Sequence, residues 1–170
     1  MRHGLIRGFL SVVVALPCGA CVVPPSPQTP VPATVTVIPA DARALRYGST
    51  APEVLANPAL QDKVRALFGA DWYPGTGRAY GAPAFFPPSS SIRMVRMNGR
   101  EYIAITGCVI EACGNYRGLL LIGSEEQLMA RLDDGGFSHY YDYGPNATGD
   151  TASRLALDGA WLALRGIERG

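Results

Sequence analysis

The chain predicts a single α+β domain, and three observations carry that reading: one segment with helical spacing of apolar residues, one two-residue hairpin signal, and one continuous apolar run of strand length. The helical segment comes first. Leu60, Val64, Leu67 and Phe68 recur at intervals of three and four, Gly69 closes the stripe, and Asn57 followed by Pro58 offers a cap and a first helical position that needs no amide hydrogen. A helix is therefore expected over 57–68, with the stripe facing the core. Residues 92–97 and 101–107 are β-prone and flank Asn98-Gly99, two residues that accept positive φ, so a type I′ turn should join two antiparallel strands. Residues 117–122 give a third strand, and Leu119-Leu120-Leu121-Ile122 reads as a strand covered on both faces.

The remaining segments are less regular. Residues 73–91 hold Pro74, Pro83, Pro87 and Pro88 around Phe85-Phe86, a density of breakers that permits no regular element. Trp72, Tyr73, Tyr80, Phe85 and Phe86 would either pin this connection to the core or form the wall of a partner surface. Ser124-Glu125-Glu126-Gln127 fits a helix capping box, and Gly123 with Asp133-Asp134-Gly135-Gly136 fits a strand-turn-strand path equally well. Residues 137–143 alternate as a strand with Phe137, His139, Tyr141 and Tyr143 on one face, and 146–150 read as a loop. The last apolar segment, 155–167, contains Trp161 and fits either a helix or a hairpin turning at Asp158-Gly159.

The N-terminus carries an export signal. Residues 1–20 run from Arg2, His3 and Arg7 through an apolar stretch too short for a membrane span to Gly19-Ala20. Gly-Ala before Cys21 resembles the lipobox of bacterial lipoproteins, which implies acylation of Cys21, although Cys18 stands where a leucine is usual; ordinary cleavage leaving a free cysteine also fits. Residues 22–39 contain six prolines and no charge, a composition suited to an extended tether reaching roughly 55 Å at ~3.1 Å per residue. The expected organisation is a signal peptide at 1–20, a lipidated cysteine and tether at 21–39, and a folded domain at 40–170.

Composition narrows the function classes. Without Arg2 and Arg7, thirteen basic residues face fourteen acidic ones, a net charge of −1, and no Lys or Arg run occurs, so nucleic acid is not an expected partner. Four cysteines occur, and export removes Cys18 and places Cys21 at the terminus, leaving Cys108 and Cys113 for the domain. In an oxidising compartment these two should pair into a six-residue ring, whose loop-entropy contribution is only ~2 kcal/mol. A ring that small is better suited to holding a hairpin tip in one shape than to stabilising a whole domain. The four-residue spacing and strand setting argue against a thiol oxidoreductase, which uses Cys-x-x-Cys at a helix start. A metal site from Cys108, Cys113, Glu111 and His139 would need unpaired thiols. Asp133-Asp134 and Glu125-Glu126 read as solvated charge, and His139 lacks a nucleophile partner, so neither an enzyme nor a cofactor is expected.

Helix, Trp-containing loop, Asn-Gly hairpin, Tyr102, Gly107-Cys108-x4-Cys113-Gly114, apolar strand and a final Leu157-Asp158-Gly159 together resemble the family of the inhibitor of vertebrate lysozyme over residues 52–166. The resemblance implies an antiparallel β-sheet with flanking helices and a disulfide-closed protruding loop that enters the cleft of a c-type lysozyme or a related muramidase. It also implies a periplasmic protein, here held at the outer membrane through lipidated Cys21. The partner-binding loop would be Cys108, Val109, Ile110, Glu111, Ala112 and Cys113. In the family this loop commonly reads Cys-Lys-Pro-His-Asp-Cys, and its histidine reaches the two catalytic carboxyl groups. Glu111 occupies the histidine position, and an ionised carboxylate only accepts hydrogen bonds, so weaker inhibition or a different muramidase is expected. The other class open to this sequence is a non-inhibitory envelope lipoprotein that uses the fold for structural or protein contacts.

Overall fold

The structure, a computed structural model, describes residues 34–39, 41–75, 78–145, 147 and 151–168. Six strands pair antiparallel in sequence order: β1 (Val35–Ile38), β2 (Ser91–Met97), β3 (Arg100–Cys108), β4 (Tyr116–Ile122), β5 (Leu128–Asp134) and β6 (Phe137–Tyr143). Helices α1 (Ala51–Ala56) and α2 (Gln61–Phe68) cover one face and α3 (Thr151–Glu168) the other, which makes this an α+β domain of three layers. No helix among the described residues is long and apolar enough to cross a membrane. The signal segment, Cys21 and the loop residues Asn146, Thr148, Gly149 and Asp150 lie outside the described residues.

The Asn98-Gly99 turn forms as expected, with φ values of 48° and 80°, and fixes the β2–β3 register from Met97 opposite Arg100 to Ser91 opposite Thr106. The apolar run of β4 is covered on both faces: Leu120 and Ile122 pack with the α1–α2 layer, Leu119 and Leu121 with α3. Between β4 and β5 the open choice resolves into a single 3-10 turn, Ser124–Glu126, and a strand rather than a capped helix. The C-terminal alternative resolves as a helix. Leu157, Ala160, Trp161 and Leu164 supply its sheet-facing stripe, and Asp158-Gly159 lies within it rather than at a turn.

Three boundaries differ from expectation. The helix expected over 57–68 begins at Gln61, because Asn57 is extended (ψ 128°), as the residue before proline prefers, and ends a separate short helix. That helix, α1, is capped by Thr50, while Ser49 donates twice to the Glu53 carboxylate at 2.8 Å. Asn57 still organises the entry to α2: its carbonyl accepts from Gln61 at 2.8 Å, its side chain accepts from Ala59 at 2.9 Å and its amide donates to the Tyr47 carbonyl at 2.9 Å. The proline-rich connection contains a 3-10 turn, Ala82–Phe85, whose Gly81–Ala84 bond needs no proline amide. Residues 35–38, placed in the tether, instead form β1, pairing Val35 with Met97 and Ile38 with Met94. A β-branched tetrapeptide favours a strand, so the folded unit begins before residue 40.

Candidate functional site

At one end of the sheet β3 and β4 converge through Gly107 opposite Gly118 and Cys108 opposite Arg117. Gly107 is required there: a Cβ would fall 2.3 Å from Ser90 Oγ and 2.5 Å from the Phe85 carbonyl oxygen. The next six residues form the ring closed by the Cys108–Cys113 disulfide, whose Cα atoms are 4.9 Å apart. The ring is anchored from within. Val109 is buried and Ala112 packs against the same core cluster, so two of the four interior side chains point inward. Val109 N–H donates to Tyr116 at 3.0 Å, Ala112 N–H to Val109 at 3.0 Å, and Tyr116 N–H to Ala112 at 3.0 Å.

The other two interior side chains face solvent. Ile110 is 66% exposed and Glu111 is exposed at the tip, at the central positions of a turn closed by the Val109–Ala112 bond. Glu111 has φ 66° and Ile110 does not share the left-handed region, the pattern of a type II turn. Glycine and asparagine suit this third turn position; an ordinary L-residue there costs about 1–2 kcal/mol. Glu111→Asn is accordingly expected to raise the stability of the oxidised domain by about 0.5–1 kcal/mol in urea unfolding. An unchanged or lower midpoint would show that the Glu111 side chain offsets its backbone cost.

A second hairpin tip lies beside the ring. Gly135 N–H donates to the Asn115 carbonyl at 2.9 Å, and Phe137, which follows that turn, is 75% exposed. Strand periodicity alone places Phe137 on an aromatic face; the Gly135-Gly136 turn before it is the signal for its position at a tip. Of the aromatic residues around the proline-rich connection, Phe85 and Phe86 are buried at 1% exposure, Trp72 and Tyr80 are partly buried, and only Tyr73 stands out at 67%. Tyr80 meets Tyr116 edge-on with centroids 5.0 Å apart, so this segment pins the base of the ring rather than forming a broad contact wall.

The acidic residues are more engaged than the sequence suggested. Asp133 accepts from Arg131 at 2.9 Å and Ser138 at 2.7 Å, while Asp134 lies 3.0 Å from His139 Nε2. Asp133 and Asp134 are members of ion pairs rather than solvated charges, the first with Arg131 and the second with Arg78, whose Nε lies 3.8 Å away, because each projects to a different face of β5. Beyond Asp134, Tyr141 donates to Asp71 at 2.8 Å and accepts from Arg78 at 2.8 Å, and burial followed by the Asp71 contact pushes its phenol well above the usual value. Cys108 and Cys113 are joined, so no thiolates are available for the metal arrangement considered from the sequence.

No protein-family model matches the chain, and neither a curated protein nor a solved structure matches it. The geometry of the ring and its neighbours therefore stands by itself as the argument for function.

Proposed function

We propose that the chain is a non-enzymatic, exported inhibitor resembling the inhibitor of vertebrate lysozyme family, periplasmic and anchored through Cys21. In this reading it places the Cys108–Cys113 ring in the cleft of a c-type lysozyme or related muramidase. The observation that carries the reading is the ring itself: a six-residue tip whose backbone is fixed by the disulfide, three turn hydrogen bonds and two inward side chains, with Ile110 and Glu111 left outward. A tip ordered during folding loses little further entropy on binding. Ile110 gives it an apolar contact, and Glu111 can accept a hydrogen bond from a protonated catalytic acid, as glycosidases maintain. The same Glu111 favours the second reading, a non-inhibitory envelope lipoprotein, because it would also face the ionised partner carboxylate.

The test is clearing of a peptidoglycan suspension by c-type lysozyme titrated with the oxidised chain. Glu111→His should lower the half-inhibitory concentration about tenfold, the gain from one charge-assisted hydrogen bond. Histidine is also among the residues that tolerate the left-handed backbone at this position. Cys108→Ser should raise the half-inhibitory concentration. Absence of inhibition by folded wild type and folded Glu111→His alike would leave the non-inhibitory reading.

A further inference from the structure

Behind the ring, on the α3 side, lies a cavity of about 340 Å³ bordered by both ring cysteines. Three residues of its lining each carry a buried polar atom that has no hydrogen-bond partner among the described residues: Trp161 Nε1, Arg165 Nε and Ser90 Oγ. Trp161 is only 4% exposed. An indole N–H and a guanidinium Nε–H are donors with no accepting capacity, and leaving such a group buried and unpaired costs about 1–3 kcal/mol, so native folds rarely do it without an acceptor arriving from elsewhere.

Charge points the same way. Arg117 also lines the cavity; its Nε donates to the Cys113 carbonyl, which leaves both terminal nitrogens available. Arg165 rests against the Trp161 ring at 5.7 Å. Among the described residues neither arginine pairs with a carboxylate, whereas Arg78 and Arg131 both do. Asp133 stands opposite Arg117 in the β4–β5 register, but its carboxylate is occupied by Arg131 and Ser138.

We propose that this cavity is a phosphate-binding site. Donors enter it from three separate elements, the segment before β2, strand β4 and helix α3, and a tetrahedral oxyanion presents oxygens in three directions where a planar carboxylate presents two. Guanidinium forks pair bidentately with phosphate oxygens, and the buried indole and serine complete the donor set. The volume admits either a free phosphate with water or a phosphomonoester. This site does not depend on the lysozyme reading, since neither Ile110 nor Glu111 lines it.

The experiment follows the indole N–H NMR signals of the full oxidised chain, with Trp161 assigned through Trp72→Phe. Inorganic phosphate and glycerol 3-phosphate are titrated against chloride and acetate at matched ionic strength. A saturable Trp161 shift with half-saturation at millimolar concentration or below is expected for at least one phosphate, weakened tenfold or more in Arg165→Gln and Arg117→Gln variants of unchanged circular dichroism. A stronger response to glycerol 3-phosphate identifies a phosphomonoester, and a stronger response to inorganic phosphate the free ion. No saturable shift in the wild-type chain, an equal response to acetate or chloride, or a response untouched in both folded variants overturns the proposal.

Discussion

Gly118→Ala is expected to destabilise the domain by about 1–3 kcal/mol, although alanine would ordinarily serve a strand interior better than glycine. Gly118 sits between Gly107 on β3 and Leu132 on β5, and a Cβ there would fall 2.9 Å from Phe85 Cβ and 2.9 Å from Phe86 Cζ. The two phenylalanines close the α1–α2 face of the sheet at 1% exposure, and Phe86 packs on Phe68 with centroids 6.3 Å apart. Phe86→Ala should cost about 3–5 kcal/mol, the range for removing a buried aromatic ring. The two changes should not add. With the Phe86 ring gone, the methyl at 118 enters vacated space, so the double variant should be more stable than the sum of the single effects predicts by at least about 1 kcal/mol. Urea unfolding of the four proteins measures this directly. Simple additivity would mean that the Phe85 Cβ, not the Phe86 ring, sets the need for glycine.

That contact also shows what the sequence could and could not reveal. Asn98-Gly99 was legible because a two-residue spacing and two residues tolerant of positive φ specify one hairpin locally. The Leu119–Ile122 run was legible because continuous burial leaves a continuous apolar record. The disulfide was legible because Cys108 and Cys113 are the two cysteines within the folded domain. By contrast, Gly107 and Gly118 read as ordinary strand glycines, since their need arises from Phe85, Phe86 and Ser90 arriving from an irregular segment. Strand β1 was hidden by the prolines around it; four residues carry too little periodicity to outweigh that composition. The candidate site was half legible. The ring residues are contiguous, but Trp161 and Arg165 reach the same cavity from a helix more than forty residues along the chain, a juxtaposition that exists only once α3 lies on the sheet.

What holds α3 there yields the other large effect. Arg131→Met should destabilise the domain by about 2–4 kcal/mol, somewhat below the cost of breaking a fully buried pair because Asp158 remains 37% exposed. Arg131 donates to Asp158 at 2.6 Å on the helix and to Asp133 at 2.9 Å on its own strand, and its guanidinium lies 4.8 Å from the Trp161 ring centroid and 5.6 Å from that of Tyr140. Its pKa is raised despite burial, by the hydrogen bond to Asp133, so the cation persists across the accessible pH range. Removing it leaves two carboxylates facing an apolar side chain. Asp158→Asn should cost only about 1 kcal/mol, because an amide oxygen still accepts from Arg131 and from Tyr140, now 2.8 Å away. Adding Asp158→Leu to Arg131→Met should recover part of the loss, as apolar replacement of a buried pair commonly does. Hydrogen exchange locates the effect: amides of α3 should lose protection before those of β3 and β4 in Arg131→Met, and equal loss throughout would mean that the Leu157, Trp161 and Leu164 stripe alone fixes the helix. Since α3 also delivers Trp161 and Arg165 to the cavity behind the ring, Arg131→Met should weaken the phosphate-dependent indole shift as well, coupling the stability of the helix to the occupancy of the site.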